Sequence, residues 1–282
     1  MSFLDRVLEC NNAASIDGVL PFLCEEIRVG WVEAKFAAAL ASFPEVFSFG
    51  PDGISIIEDL IGYNERTLAM DKVVRSLKSE GWFGDWRDER YPVGTSFYEK
   101  SFFEIERSAV PRFGIRAYGV HVNGFVRSVE GIHLWIGRRS ADKANYPELL
   151  DNMVAGGQPV GISLIENVIK EASEEASIPR PIAEKAIPVG AISYFHQSAD
   201  GIKPDIMFNF DMEVPKGFVP KPRDGEMSSF ELIPVEMVMQ ICSETQEFKF
   251  NCALVNIDFF IRHGLLSPMH PDYLKLVRGM HS

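Results

Sequence analysis

An α/β (α+β) protein is predicted: a mixed sheet between helical layers, preceded by a smaller, mostly helical α+β N-terminal domain. Three observations carry this. β-rich segments from about Arg112 onward flank one amphipathic helix over residues 163–177, a strongly apolar helix follows near the C-terminal end, and residues 1 to about 80 have mostly helical periodicity. At 282 residues the chain exceeds one typical domain, and the change of pattern divides it into 1–110 and 111–282.

In order, "DRVLECNNA" and "EAKFAAALASF" place apolar residues at helical spacing. "FSFGPDGISII" sets turn residues between apolar stretches and reads as a hairpin. "IEDLIGYNERTLAMDKVVRSLKSEG" is helical, with Gly81 in the stop position, and "GWFGDWRDERYPVG" then interrupts any helix. "GIRAYGVHVNGFVRS" and "GIHLWIGRRS" are strands parted by "VEG". "AEKAIPVGAISYFHQSADG" is a helix end leading into a strand. "DIMFNFDMEVP" alternates Ile206, Phe208, Phe210 and Met212 with polar partners, the pattern of a half-buried strand. "SSFELIPVEMVMQICSE" reads as a strand and then a helix capped near Pro234, and "NCALVNIDFFIRHGLL" as an apolar helix ending at Gly264.

Composition bounds the function. A hydrophobic share of 46% supports a full core, and no apolar run is long enough to span a bilayer. The net charge of -12, with no basic tract, opposes broad binding to nucleic acid or anionic membranes. A small anionic substrate needs only a local pocket and remains compatible. Cys10, Cys24, Cys242 and Cys252 show no CxxC spacing, which argues against a zinc site or disulfide scaffold and fits a reducing environment. With no basic n-region and apolar h-region at the start, a cytoplasmic location is expected.

On a helix over 163–177, Ile165, Val168, Ile169, Ala172 and Ala176 form one apolar stripe. Glu171, Glu174 and Glu175 gather beside it, while Glu166 and Lys170 lie elsewhere at a spacing that allows a weak pair. A solvated face is the ordinary reading of such a helix. Here, however, the carboxylates repel one another and sit toward the negative end of the macrodipole. A hard divalent cation would reverse both effects. Gly156 and Gly157, just before the helix, permit close backbone approach.

"GGQPVGISLIENVIKEASEEASIP" (156–179) resembles the Nudix box, a Gly, five residues, a Glu, seven residues, then R-E-U-x-E-E-x-G-U with U aliphatic. Lys170 stands for the Arg, Ser177 for the late Gly and Ile162 for the isolated first Glu; the three metal-binding carboxylates are kept. The resemblance extends along the chain to a branch that joins an N-terminal domain of formerly unknown function to a Nudix domain, related to thiamine pyrophosphokinase-associated Nudix proteins. It is carried by "VGWV", "GDWRDERYPV", "IERSAVPRFGIRAYGVHVNGFV", "LWIGRRSADK", "LLDNMVAGG", "DGEMSSFEL" and "EFKFNCALVNIDFFIRHG". Where members carry Pro-Gly before "LDNMVAGG", this chain has Pro147-Glu148.

The resemblance implies a Nudix α/β/α sandwich and a Mg²⁺-dependent hydrolase, with Mn²⁺ as a substitute ion. Glu171, Glu174 and Glu175 would bind metal; Glu175, Glu226 and Lys170 would be catalytic, with Glu226 also a metal ligand and Lys170 orienting the glutamates as the family's Arg does. By their residues alone, Glu226 is equally a turn acid after Asp224-Gly225 and Lys170 a surface lysine. Arg138, Arg139, His121, Asn123, Gly156 and Gly157 are the candidate substrate-binding residues, with one arginine of the pair facing in and one out. His121 and Asn123 also read as a buried structural pair, Asp151 and Asn152 as holding the loop, and Trp82, Trp86 and Arg87 as a stacking wall or as ordinary packing. The implied substrate is a small-molecule diphosphate, foremost thiamine diphosphate or its oxidised or damaged analogues. A nucleoside diphosphate derivative, ADP-ribose or a non-catalytic diphosphate-binding module are the alternatives. A monomer or homodimer is expected.

Overall fold

The computed structural model describes residues 1–13, 18–143 and 145–281. Helix α1 (Phe3–Cys10) opens with a capping box, in which the Ser2 hydroxyl accepts from the Asp5 N–H and Asp5 accepts from the Ser2 N–H. Next come β1 (Val19–Cys24), β2 (Ile27–Glu33), α2 (Ala34–Leu40), β3 (Phe47–Gly50), β4 (Gly53–Ile56), α3 (Tyr63–Ser79), β5 (Arg90–Val93) and β6 (Phe103–Glu106). The second half runs β7 (Tyr118–Ser128), β8 (Gly131–Arg139), β9 (Leu150–Asn152), β10 (Val154–Gly157), α4 (Leu164–Ala176), α5 (Arg180–Ala183) and β11 (Ile187–Ser193). It closes with β12 (His196–Ser198), β13 (Gly201–Lys203), β14 (Ile206–Glu213), β15 (Met227–Pro234), α6 (Val235–Glu244), α7 (Phe250–Arg262) and α8 (Tyr273–Gly279).

Residues 1–80, expected to be mostly helical, also hold a four-stranded sheet in the order β2-β1-β4-β3. Its strands enclose an aromatic core that includes Phe22, Phe36, Phe103 and Phe113. The hairpin expected at 47–56 is β3–β4, with Gly50 opposite Gly53, and Gly81 follows α3 at φ +83° as a helix stop requires.

The second half is built on a mixed sheet ordered β11-β14-β7-β8-β15, in which β14 and β7 run parallel and β9 and β10 pair on β8 and β7. Val120 and Val122 of β7 face α4, whereas His121, Asn123 and Phe125 face the side of α7. Helix α1 packs on that second face too, through Phe3, Val7 and Cys10. Because helices cover both faces, β14 is not half-buried as expected. Phe210 and Met212 are buried on one side and Asn209 and Asp211 on the other, the latter pair held by Asp258 and Arg262. The result is the α/β/α sandwich that the box implied.

Candidate active site

Helix α4 is fixed to the sheet by its own sequence. Ser163 caps it by accepting from the Glu166 N–H, and Asn167, fully buried, donates to the Gly157 carbonyl (2.8 Å) and to the Gln158 side chain (3.0 Å). Gln158 in turn donates to the Ile162 carbonyl at 2.7 Å, so the segment before the helix is stitched down although Ile162 offers no carboxylate. Four residues of the predicted stripe, Val168, Ile169, Ala172 and Ala176, are buried, and Ile165 packs at its edge. Ser177 adopts a left-handed conformation (φ 53°) where the family pattern has Gly; its hydroxyl donates to the Lys221 carbonyl at 2.9 Å, offsetting part of the strain.

The glutamates differ in surroundings. Glu175 is buried and accepts from the Ala155 N–H at 3.0 Å, and burial pushes its carboxyl well above the usual range. Glu171 leans over Gly156, where a Cβ would overlap its carboxyl, and burial raises it as well, against the pull of Lys170. Lys170 lies 2.8 Å from Glu171 and 3.5 Å from the exposed Glu174. The expected Glu166–Lys170 pair is therefore absent. Lys170 turns to the other acids, and Glu166 pairs with Arg180 at 2.8 Å.

Among the described residues, the one set of potential ligands whose donor atoms all lie within 4.8 Å is His121, Asp151 and Cys252, not the glutamates. That buried set suits a hard cation poorly. Arg139 is 2.8 Å and Lys249 4.0 Å from Asp151, which supplies the negative charge they need. Burial and the neighbouring Lys249 bring His121 down to about 4, and burial and Asp151 push the Cys252 thiol up. Glu171, Glu174 and Glu175 fit Mg²⁺ better by donor type: all three are carboxylates on one helix, and the lack of a side chain at Gly156 makes room for the Glu171 carboxyl.

In front of Gly156 and Gly157 lies a cavity of about 270 Å³ between the sheet and the segment Asp85–Pro111. Six cations line it, Arg87, Arg107, Arg139, Lys143, Lys203 and Lys249, in a chain whose net charge is -12. Tyr118, Tyr146, Tyr194, Phe250 and the acid Asp205 line the rest of the wall. Asp205 accepts from the Tyr194 hydroxyl at 3.0 Å; burial outweighs this and raises its carboxyl to about 6.

Several expected site residues meet here and others do not. Gly156, Gly157, His121, Arg139 and Glu226 line the cavity. Glu226 is tied to Lys143 and, at 3.5 Å, to Arg87; burial opposes its charge, but these cations hold its carboxyl below its ordinary value. Arg139 is the inward arginine, yet its donors go to Asp151 and to the carbonyls of Asn145 and Tyr146, so it braces the wall. Arg138 does not reach the cavity. It points outward, to the Glu148 carbonyl and Glu247. Asn123 is also elsewhere, donating to Asp211 inside the sandwich, while His121 bonds Asn152. Trp82 packs on Phe36 and Trp86 lies under Lys78, so neither forms a stacking wall. Sequence reasoning missed Tyr91, Arg107, Lys143, Lys203, Asp205 and Lys249. A signal existed for four of them: Tyr91 in "GDWRDERYPV", Arg107 in "IERSAVPR", Lys143 in "LWIGRRSADK" and Lys249 in "EFKFNCALVNIDFFIRHG" stand in segments that matched the family branch, without any assigned role.

Gly157 couples the two halves, because a Cβ there would overlap the Tyr91 hydroxyl. Gly157→Ala is expected to destabilise the protein by roughly 1–3 kcal/mol, through overpacking. Gly157→Ala combined with Tyr91→Phe should recover part of the loss in thermal unfolding; no recovery would refute this contact as the cause.

Comparison with known proteins identifies the family. A family described as a domain of unknown function, DUF4743, matches residues 2–117. "Nudix hydrolase 20, chloroplastic" of Arabidopsis thaliana is 42% identical over 291 residues, which cover 99% of this chain and 78% of the relative. "Nudix hydrolase 24, chloroplastic" of the same plant is 42% identical over 283 residues, with the same coverage. An uncharacterized protein of Saccharomyces cerevisiae is 33% identical over 311 residues, covering 100% of this chain and 90% of its own. These names overturn the expected cytoplasmic location, since both plant relatives are chloroplastic. Cys10, Cys24, Cys242 and Cys252 are buried free thiols. No helix among the described residues is long and apolar enough to cross a membrane. With near-complete coverage at 42% identity, the chain belongs to the Nudix hydrolases, enzymes that cleave pyrophosphate linkages.

Proposed function

We propose that this enzyme is a Mg²⁺-dependent diphosphatase that cleaves thiamine diphosphate, or its oxidised or damaged analogues, to the monophosphate and phosphate. The observation that carries the reading is the composition of one cavity: six cations line it, of which Arg139 and Lys249 are engaged by Asp151, and an aromatic wall holds the half-buried acid Asp205. A volume of about 270 Å³ lies at the lower end of ligand pockets and suits a small substrate better than a dinucleotide. A cationic thiazolium ring would also be matched by Asp205 in its ionised form, whereas a nucleobase has no such need. ADP-ribose and nucleoside diphosphate derivatives remain the second reading.

Glu171, Glu174 and Glu175 would hold the metal, which when bound neutralises phosphate charge and lowers the pKa of the attacking water. Lys170 orients Glu171 and Glu174. The cavity cations bind and align the diphosphate, and Glu226, held ionised on the facing wall, accepts the proton of the water that attacks phosphorus as the anhydride P–O bond breaks.

Mg²⁺-dependent hydrolysis, followed as phosphate release from thiamine diphosphate, its neutral ring-oxidised analogue and ADP and as AMP formation from ADP-ribose, tests the assignment; a higher kcat/KM for ADP-ribose would replace it. Asp205→Asn is expected to raise KM for cationic thiamine diphosphate by about 10-fold and to leave the neutral analogue nearly unaffected. As Asp205 ionises near 6, KM for the cationic substrate should fall as pH rises from about 5 to about 7. An equal effect on both ligands would remove Asp205 from ring recognition.

A further inference from the structure

The N-terminal domain is not remote from the chemistry. Strands β5 and β6 pair Arg90 with Glu106, which sets Glu89 and Arg107 opposite each other at the hairpin end. There the Arg107 N–H donates to the Glu89 carbonyl, and Arg107 Nη1 donates to the Glu89 carboxylate, both at 2.8 Å. The guanidinium lies 5.8 Å from the Tyr91 ring centroid, and a Cβ built on Gly157 would stand 3.4 Å from its central carbon. Gly157 neighbours Gly156, and Gly156 carries the Glu171 carboxyl against its open side. A backbone bond from the Val160 N–H to the Arg90 carbonyl (3.1 Å) ties the same hairpin to the loop before α4.

The cavity's three arginines differ in what they have to spare. Arg139 is saturated by Asp151 and two carbonyls, and Arg87 divides its terminal nitrogens between Asp85 and Glu226. Arg107 uses Nη1 alone. Its adjacent Nε and Nη2 donors, the side-on edge of the guanidinium, have no partner among the described residues, and the side chain is 42% exposed in the cavity wall. Two parallel N–H donors on one edge match a pair of phosphate oxygens.

We propose that the N-terminal domain completes the active site: Arg107 binds the substrate's diphosphate through its Nε/Nη2 edge, and Glu89 and Tyr91 are positioning residues that hold it beside the metal-binding glutamates. This deepens the proposed function, resting on it only in that the substrate carries a diphosphate. It gives residues 1–110 a role in catalysis that bracing alone would not.

The test is calorimetric titration of the full chain with methylenediphosphonate in the presence of Mg²⁺, a probe without any organic ring. Arg107→Met is expected to weaken binding at least about 10-fold with an unchanged melting temperature, and Arg107→Lys to recover only part of it, since an ammonium lacks the fork. In hydrolysis, Glu89→Gln should raise KM more than it lowers kcat, a split that a purely structural role would not produce. Binding by Arg107→Met within twofold of the parent, or no binding of the probe by the parent, overturns the inference. A parent that binds the probe but leaves thiamine diphosphate intact loses the substrate assignment and keeps Arg107.

Discussion

Glu175→Gln should lower Mg²⁺-dependent hydrolysis by about 100-fold or more while leaving the fold at least as stable as before. The two halves of this expectation come from the same surroundings. Glu175 is buried, its partner among the described residues is the Ala155 N–H, and burial drives its carboxyl toward the neutral form. A glutamine oxygen can accept the same N–H, and the neutral amide has no ionisation to resist, so without metal the substitution removes an unfavourable charge. With metal the balance reverses, because a divalent ion draws its affinity from ionised oxygens. Added Mg²⁺ should therefore raise the melting temperature of the parent and raise that of Glu175→Gln much less. Glu174→Gln should cost less, since Glu174 is exposed and its position is not fixed by the sheet. Full turnover by Glu175→Gln at low Mg²⁺ would remove this residue from the metal site.

This centre was half legible in the sequence, and the division follows the range of the interactions. Carboxylates three and four residues apart on a helix are neighbours wherever that helix docks, so Glu171, Glu174 and Glu175 could be grouped from spacing alone. Alternation along β8 required one of Arg138 and Arg139 to face inward but could not say which; Asp151, from the next strand, decides for Arg139. The cavity wall joins residues from 85–111, 117–121, 139–143, 145–146, 155–157, 203–207 and 249–251 with Glu226, and no local pattern announces such a meeting. The missed strand β1 has a local cause. Pro21 looks like a strand breaker, but β1 bonds to β4 only through Phe22 and Leu23, so the absent N–H of Pro21 leaves no gap in that ladder. Burial of β14 on both faces likewise depended on α7, which lies some forty residues later in the chain.

The largest stability effect is expected at Asp151, a fully buried carboxylate that serves two cations of the cavity wall. Arg139 at 2.8 Å and Lys249 at 4.0 Å converge on it, and it also accepts from the Asn152 N–H and the Cys252 thiol. Burial alone would raise its carboxyl; Lys249 and Arg139 outweigh burial and bring it to about 2. Asp151→Asn preserves shape and most hydrogen bonding but leaves both cations without their counter-charge, at a cost of about 3–5 kcal/mol, or roughly 10 °C in Tm. The pH dependence gives an independent check. A carboxyl depressed from about 3.9 to about 2 contributes stability above its unfolded pKa, and loses it as pH falls through its folded one, here about 2–3 kcal/mol. His121, lowered to about 4, also loses stability as pH falls from about 6.5, but Asp205, raised to about 6, acts in the opposite sense over the same window. The acid loss of the parent should thus be concentrated below about pH 4, and Asp151→Asn, less stable at neutral pH, should lack that final step. Denaturant unfolding at a series of pH values measures both. A variant within 1 kcal/mol of the parent at neutral pH, or one with an unaltered loss below about pH 4, would mean that Arg139 and Lys249 find their balance elsewhere.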